Sequence, residues 1–142
     1  MFFDSSRDSL RRQWLEAWQR AQSGALLTPL EDSLARLINE HPEYQPWLQQ
    51  GDRALQADFL PESGMSNPFL HLSLHLAIRE QVATDRPTGI AHLHQRLARR
   101  HGAHEAEHHM IEVLAETLWD SQRQQRAPDE QTYLERLRQL PD

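Results

Sequence analysis

Leu10, Trp14, Ala17, Trp18 and Ala21 recur three and four residues apart near the start of the chain, the period of a helix with one apolar face. Gly24 stands where that helix is expected to stop. Thr28-Pro29-Leu30-Glu31 follows and reads as an N-cap, a proline at the first helical position and the glutamate of a capping box. Leu30, Leu34, Leu37 and Ile38 supply the apolar stripe of this second helix, and Pro42 ends it. A short helical turn is expected around Tyr44, Trp47 and Leu48. From Gly51 to Asn67 the period dissolves, and the segment reads as an ordered loop wrapping the core.

Pro68 starts a third helix expected to run to Ala83, and Asp85-Arg86-Pro87-Thr88-Gly89 breaks it. A fourth carries Ile90, Leu93 and Leu97 and is closed by Gly102. The fifth, from Ala103 to Arg126, is the longest. Pro128 restarts a last helix with Tyr133, Leu134, Leu137 and Leu140 facing inward. No strand pattern and no internal repeat interrupts the series. The expected architecture is all-α: one domain over residues 1–142, a compact bundle of about five to six helices.

Composition narrows what such a domain can do. With 21 acidic residues against 15 basic ones, all of them Arg, the chain lacks the basic face that general nucleic-acid binding needs. Cysteine is absent, which removes disulfides, thiolate nucleophiles, iron–sulfur clusters and Cys-type zinc sites. Any metal must be held by His, Asp, Glu or backbone oxygen. The opening MFFDSSRDSLRR has no basic start followed by an apolar run, so no signal peptide is read. No stretch approaches the roughly 18 apolar residues of a membrane span. A cytoplasmic setting is expected, with no membrane contact.

The chemistry concentrates in histidine. On a helical wheel of about 100° per residue, His71, Leu74, His75, Ile78 and Val82 share one stripe of the third helix. The other faces carry Phe69, Leu70, Leu72 and Leu76, so this helix should be buried from several sides. On the fifth helix, His104, Glu107, His108, Ile111, Leu114, Ala115 and Leu118 form a similar stripe, flanked by Glu112 and Glu116. Residues four apart project from the same side of a helix, so each His-x-x-x-His pair can aim two imidazoles at one ion. Packed antiparallel, the two helices would bring His71, His75, His104 and His108 together. Glu107 or Glu112 would serve as a carboxylate ligand or as an orienting partner. Such donors suit a divalent transition metal such as zinc, iron or nickel.

The remaining histidines are less pointed. His94 and His101 lie near the stripe of the fourth helix, His92 and His109 read as solvated, and His41, before Pro42, reads as closing a helix end. Glu105-x-x-His108 matches the Glu-x-x-His element of di-iron bundles, but the third helix offers no second copy.

The run NPFLHLSLHLAIREQ, from Asn67 to Gln81, resembles the hallmark segment of the family known as domain of unknown function 1841. RRQWLEAW followed by LTPLE, the segment EHPEY, and the late run H-x-x-E-H-x-x-x-E-x-L-x-E-x-L-W are similar to it as well. Together these cover nearly the whole chain. The resemblance implies a single-domain protein in a bacterial cytoplasm and implies no particular reaction.

Three uses compete for the histidines. The first is a metal site in the core of the bundle, where an open coordination position would activate water or a small molecule. The second is a non-enzymatic interaction or structural protein, with a protein partner or a second copy docking on its Trp-rich first helix or acidic surface. Its His–Glu cluster would then be a metal-free network that pins helix packing. The third is haem held between two histidines. No residue pattern names a reaction or a substrate.

Overall fold

The computed structural model describes residues 7–56 and 67–141. Among them the chain is helical without a strand: α1 (Arg7–Gln22), α2 (Pro29–Asn39), the 3-10 turn η1 (Pro42–Tyr44), α3 (Gln45–Leu48), α4 (Asp52–Gln56), α5 (Pro68–Thr84), α6 (Ile90–His101), α7 (Ala103–Gln124) and α8 (Glu130–Arg138). The all-α expectation holds. The helix number does not: eight α-helices stand among the described residues instead of five to six. The additional elements are short. α4 occupies the start of the segment read as loop, and a helix of 5 residues is too brief to repeat an apolar period. The rest of that expected loop, residues 57–66, lies outside the described residues.

Local chemistry sets several helix ends. The Thr28 hydroxyl accepts from the Glu31 N–H at 3.1 Å, and the Glu31 carboxylate accepts from the Thr28 N–H at 2.9 Å. This reciprocal box starts α2 as the sequence predicts. After α5, Asp85 turns into the left-handed region with φ 51° and places its carboxylate to accept from the Gly89 and Ala91 N–H groups, each at 3.0 Å. Gly102 lies between α6 and α7 with φ 85°, a conformation that favours glycine. Its N–H donates to the Ala98 carbonyl at 2.8 Å, and its own carbonyl accepts from the Ala106 N–H at 3.0 Å. One residue closes one helix and opens the next.

The chain divides into two compact units, residues 1–73 and 74–142, with α5 running through the division. In the first, α1 packs on α2 and α4, and η1 packs on α2 and α3. Trp14 and Trp18 of α1, Leu37 and Ile38 of α2, and Leu48, Leu55 and Leu72 are buried. Arg11 is buried with them. It donates to the Leu55 carbonyl at 3.2 Å and sets its guanidinium 4.9 Å from the centre of the Phe69 ring. That ring meets Trp47 edge-on at 4.5 Å, an arrangement that matches the aromatic quadrupole.

In the second unit, α6 packs along α7, and α8 packs against both. Ile78, Ile90, Leu93, Leu97, Met110, Ile111, Leu114, Tyr133, Leu134 and Leu137 form one buried cluster. Full burial of each large aliphatic side chain contributes roughly 1.5–3 kcal/mol. The Tyr133 hydroxyl reaches the Gln81 side-chain carbonyl at 2.6 Å.

Candidate metal centre

His41 sits just past the end of α2, where its backbone N–H donates to the Ile38 carbonyl at 3.0 Å. Its ring folds back so that Nδ1 lies 2.8 Å from the Leu37 carbonyl. A carbonyl only accepts, so Nδ1 carries the proton. In the neutral ring the lone pair is then on Nε2. The sequence-based reading of His41 as a helix end therefore describes one of its two contacts. The other is the His71 ring of α5, met edge-on at 5.2 Å between centroids. Ring nitrogens of the two approach within 4.8 Å. Two nitrogens on one tetrahedral ion stand roughly 3.3 Å apart, given bonds of roughly 2.0–2.1 Å, so the pair could share one if the rings draw closer. Tyr44 closes this cluster, parallel to His41 at 5.7 Å and edge-on to His71 at 6.1 Å. Burial, followed by the nearby Glu43 charge, raises its hydroxyl above the ordinary tyrosine range.

In the second unit His75 is 1% exposed and its Nδ1 is hydrogen-bonded to Glu107 Oε1. Arg79, one turn further along α5, directs Nε at both Glu107 oxygens, each at 3.1 Å. Burial alone would raise the carboxyl of Glu107. The hydrogen bonds from His75 and Arg79, with the Arg79 charge, outweigh it and hold Glu107 below the usual carboxylate range. An ionised carboxylate is acceptor-only, so Nδ1 of His75 donates, and in the neutral ring Nε2 again has the lone pair. His108 lies edge-on to His75 at 5.0 Å, with ring nitrogens of the two within 4.8 Å.

His104 stands in the first turn of α7, exposed, with its ring 4.2 Å from His108 and 6.3 Å from His75. Glu112 is exposed on α7. The buried stripe of α7 runs through Ala106, Glu107, Met110, Ile111, Val113, Leu114 and Thr117. The predicted stripe is thus displaced around the helix: Ala115 and Leu118 face solvent, and His104 lies at its edge.

Of the six residues singled out from sequence, the second unit gathers His75, His104, His108 and Glu107, with Glu107 bonded to His75 and Arg79. His71 pairs with His41 in the first. Sequence reasoning left out His41, Tyr44 and Arg79. A signal existed for each: EHPEY holds His41 and Tyr44, and Arg79 follows His75 at helical spacing. His92 is exposed, and His101 donates from Nε2 to the Pro141 carbonyl at 3.0 Å and packs on His109 at 5.1 Å.

A polar cavity of about 350 Å³ also opens between the end of α7 and α8. Its Arg136 is engaged with Asp120 at 2.7 Å and Thr117 at 3.3 Å, and its Asp129 caps α8. These charged groups hold the wall of the cavity together.

No described helix is long and apolar enough to cross a membrane. No curated protein and no solved structure matches the chain. The family described as domain of unknown function DUF1841 matches it over residues 6–139, nearly its whole length. The chain belongs to the DUF1841 family.

Proposed function

We propose that this protein binds divalent transition metal through two histidine pairs built on α5, one in each unit. His71 and His75 project from one side of that helix, one turn apart. Each is joined by the histidine that packs on it within its own unit, His41 on His71 and His108 on His75. The observation that carries this reading is the commitment of Nδ1. His41 gives that proton to a backbone carbonyl and His75 gives it to a carboxylate. Metal-ligating histidines are held in this way, with the far nitrogen aimed at the ion and its basicity raised. Glu107 then acts as the orienting partner of a ligand, and Glu112 has no part.

An all-imidazole donor set without thiolates suits zinc, nickel, copper or iron. Because the ligands must be deprotonated, acid competes with the ion.

The test is elemental analysis of protein equilibrated with zinc and exchanged into metal-free buffer. The expected outcome is bound zinc lost in part by His41→Gln and His71→Gln, which remove ligands of the first unit, and in part by His75→Gln, which removes one of the second, with His92→Gln retaining all of it. Zinc content undiminished by substitution of one pair would leave that pair out of the reading. Wild-type protein that retains none, or a His92 variant that loses as much as the others, ends the reading. The rival, a metal-free network, rests on the satisfied Glu107, which already has two partners. It predicts a melting temperature indifferent to chelator.

A further inference from the structure

His104 differs from the other histidines of the second unit in being exposed while still touching them. It sits one turn before His108 on α7, its ring 4.2 Å from that of His108 and 6.3 Å, nearly parallel, from that of His75. His75 is 1% exposed, and Glu107 beside it is 7% exposed. An aqueous divalent ion that reaches His75 must therefore shed its water shell at a nearly closed surface, and shedding several waters in one step is slow. A ligand at the rim divides that step. It replaces one water while the rest of the shell remains, and it holds the ion beside the next imidazole.

Resting on the metal-binding reading above, we propose that His104 is the entry ligand of the site, a transient donor that takes a divalent transition metal from solvent and passes it to His108 and His75. No covalent chemistry is involved, only the exchange of a water ligand for an imidazole nitrogen and then of one imidazole for another. The ion stays divalent throughout. A residue that is bound only along the path lowers the barrier in both directions equally and leaves the equilibrium affinity unchanged.

Cobalt(II) is the probe, because its visible absorption reports imidazole binding. Association would be followed by rapid mixing with the full chain, dissociation by transfer to excess chelator, and affinity by titration. For His104→Ala the expected result is association and dissociation both slower by about tenfold, with affinity changed less than about threefold. His104→Ala removes an exposed side chain, and circular dichroism would verify the fold. His92→Ala, exposed on α6, should match wild type in every constant. Unchanged rates in His104→Ala overturn the proposal. So does a weakened affinity with faster dissociation alone, since His104 would then be a resident ligand. Wild-type protein that binds no cobalt removes the metal reading itself, and this inference with it.

Discussion

His41 and His75 reach the same chemical state by different means. In the first unit a backbone carbonyl fixes the tautomer, and aromatic rings hold the imidazoles from the side. In the second an ionised carboxylate does so, and that carboxylate is itself held by Arg79. The backbone acceptor is neutral and present whatever residue occupies position 37. The carboxylate is a side chain that can be replaced, and its burial is tolerable only while its partners remain. The first unit should therefore be robust and modestly stabilised by its histidine. The other should be strongly stabilised and fragile.

The largest expected break is Glu107→Ala, which removes the buried carboxylate that accepts from both Arg79 and His75. A fully buried pair loses roughly 3–5 kcal/mol when one partner goes, and the third-exposed Arg79 side chain reduces this to about 2–3 kcal/mol. Metal affinity should fall roughly 10–100-fold as the ring loses its orienting partner. Urea unfolding and zinc competition measure the two losses. A change below about 0.5 kcal/mol would show that the carboxylate is not the support described here.

The two tyrosines carry the comparison to alkaline pH without involving the histidines. Burial raises the Tyr133 hydroxyl far above its ordinary value, and raises Tyr44 as well. A raised tyrosine keeps its proton in the folded state after the unfolded chain has lost it. Its stabilising contribution is complete below about pH 10 and is lost as pH rises towards the folded value, at about 1.4 kcal/mol per pH unit. Tyr133→Phe should flatten that slope more than Tyr44→Phe, since Tyr133 is 4% exposed and Tyr44 is only half-buried. Equal slopes in both variants would put the two environments on a par.

Smaller in stability but informative about the ion is His41→Phe, which keeps an aromatic ring against His71 and loses the bond to the Leu37 carbonyl. Stability should fall by about 1 kcal/mol. Metal held by the His41–His71 pair should be lost. Metal content unchanged from wild type would show that this pair holds no ion.

The smallest effect belongs to a place where neither histidine strategy operates. Thr28→Ala should cost about 0.5–1 kcal/mol through the capping box of α2 and leave metal content untouched. The hydrogen bond with the Thr28 backbone holds the Glu31 carboxyl below its usual range. That contribution is accordingly present above the ordinary glutamate value and lost in stronger acid. Any change in metal content here would mean that the first unit responds to stability rather than to ligation.

What could be read from sequence follows the range of the interaction. Thr28, Pro29 and Glu31 interact within four residues, so the start of α2 is written locally. Gly102 likewise closes α6 where the period of Ile90, Leu93 and Leu97 runs out. The short turn expected around Trp47 and Leu48 is α3, whereas the 5-residue α4 is too short to show a period. The buried face of α7 departs from its apolar pattern because Glu107 and Thr117 are buried while Ala115 and Leu118 are not. Both polar residues are accommodated by partners on other turns or helices: Glu107 by His75 and Arg79, Thr117 by the Val113 carbonyl and Arg136. His41 illustrates the same limit. Its neighbour Leu37 is one turn away and foreseeable, whereas His71 is brought to it only by the folding of the first unit.

Gly102 has a kinetic consequence. α6 and α7 are joined by that single residue, so nearly all their mutual contacts link positions close along the chain. Closing so short a loop sacrifices little chain entropy, and contacts of low sequence separation form fastest. The α6–α7 hairpin is therefore placed to assemble before α8 docks on it. His104 and His108, on the first two turns after the joint, are in position at the earliest stage of that assembly.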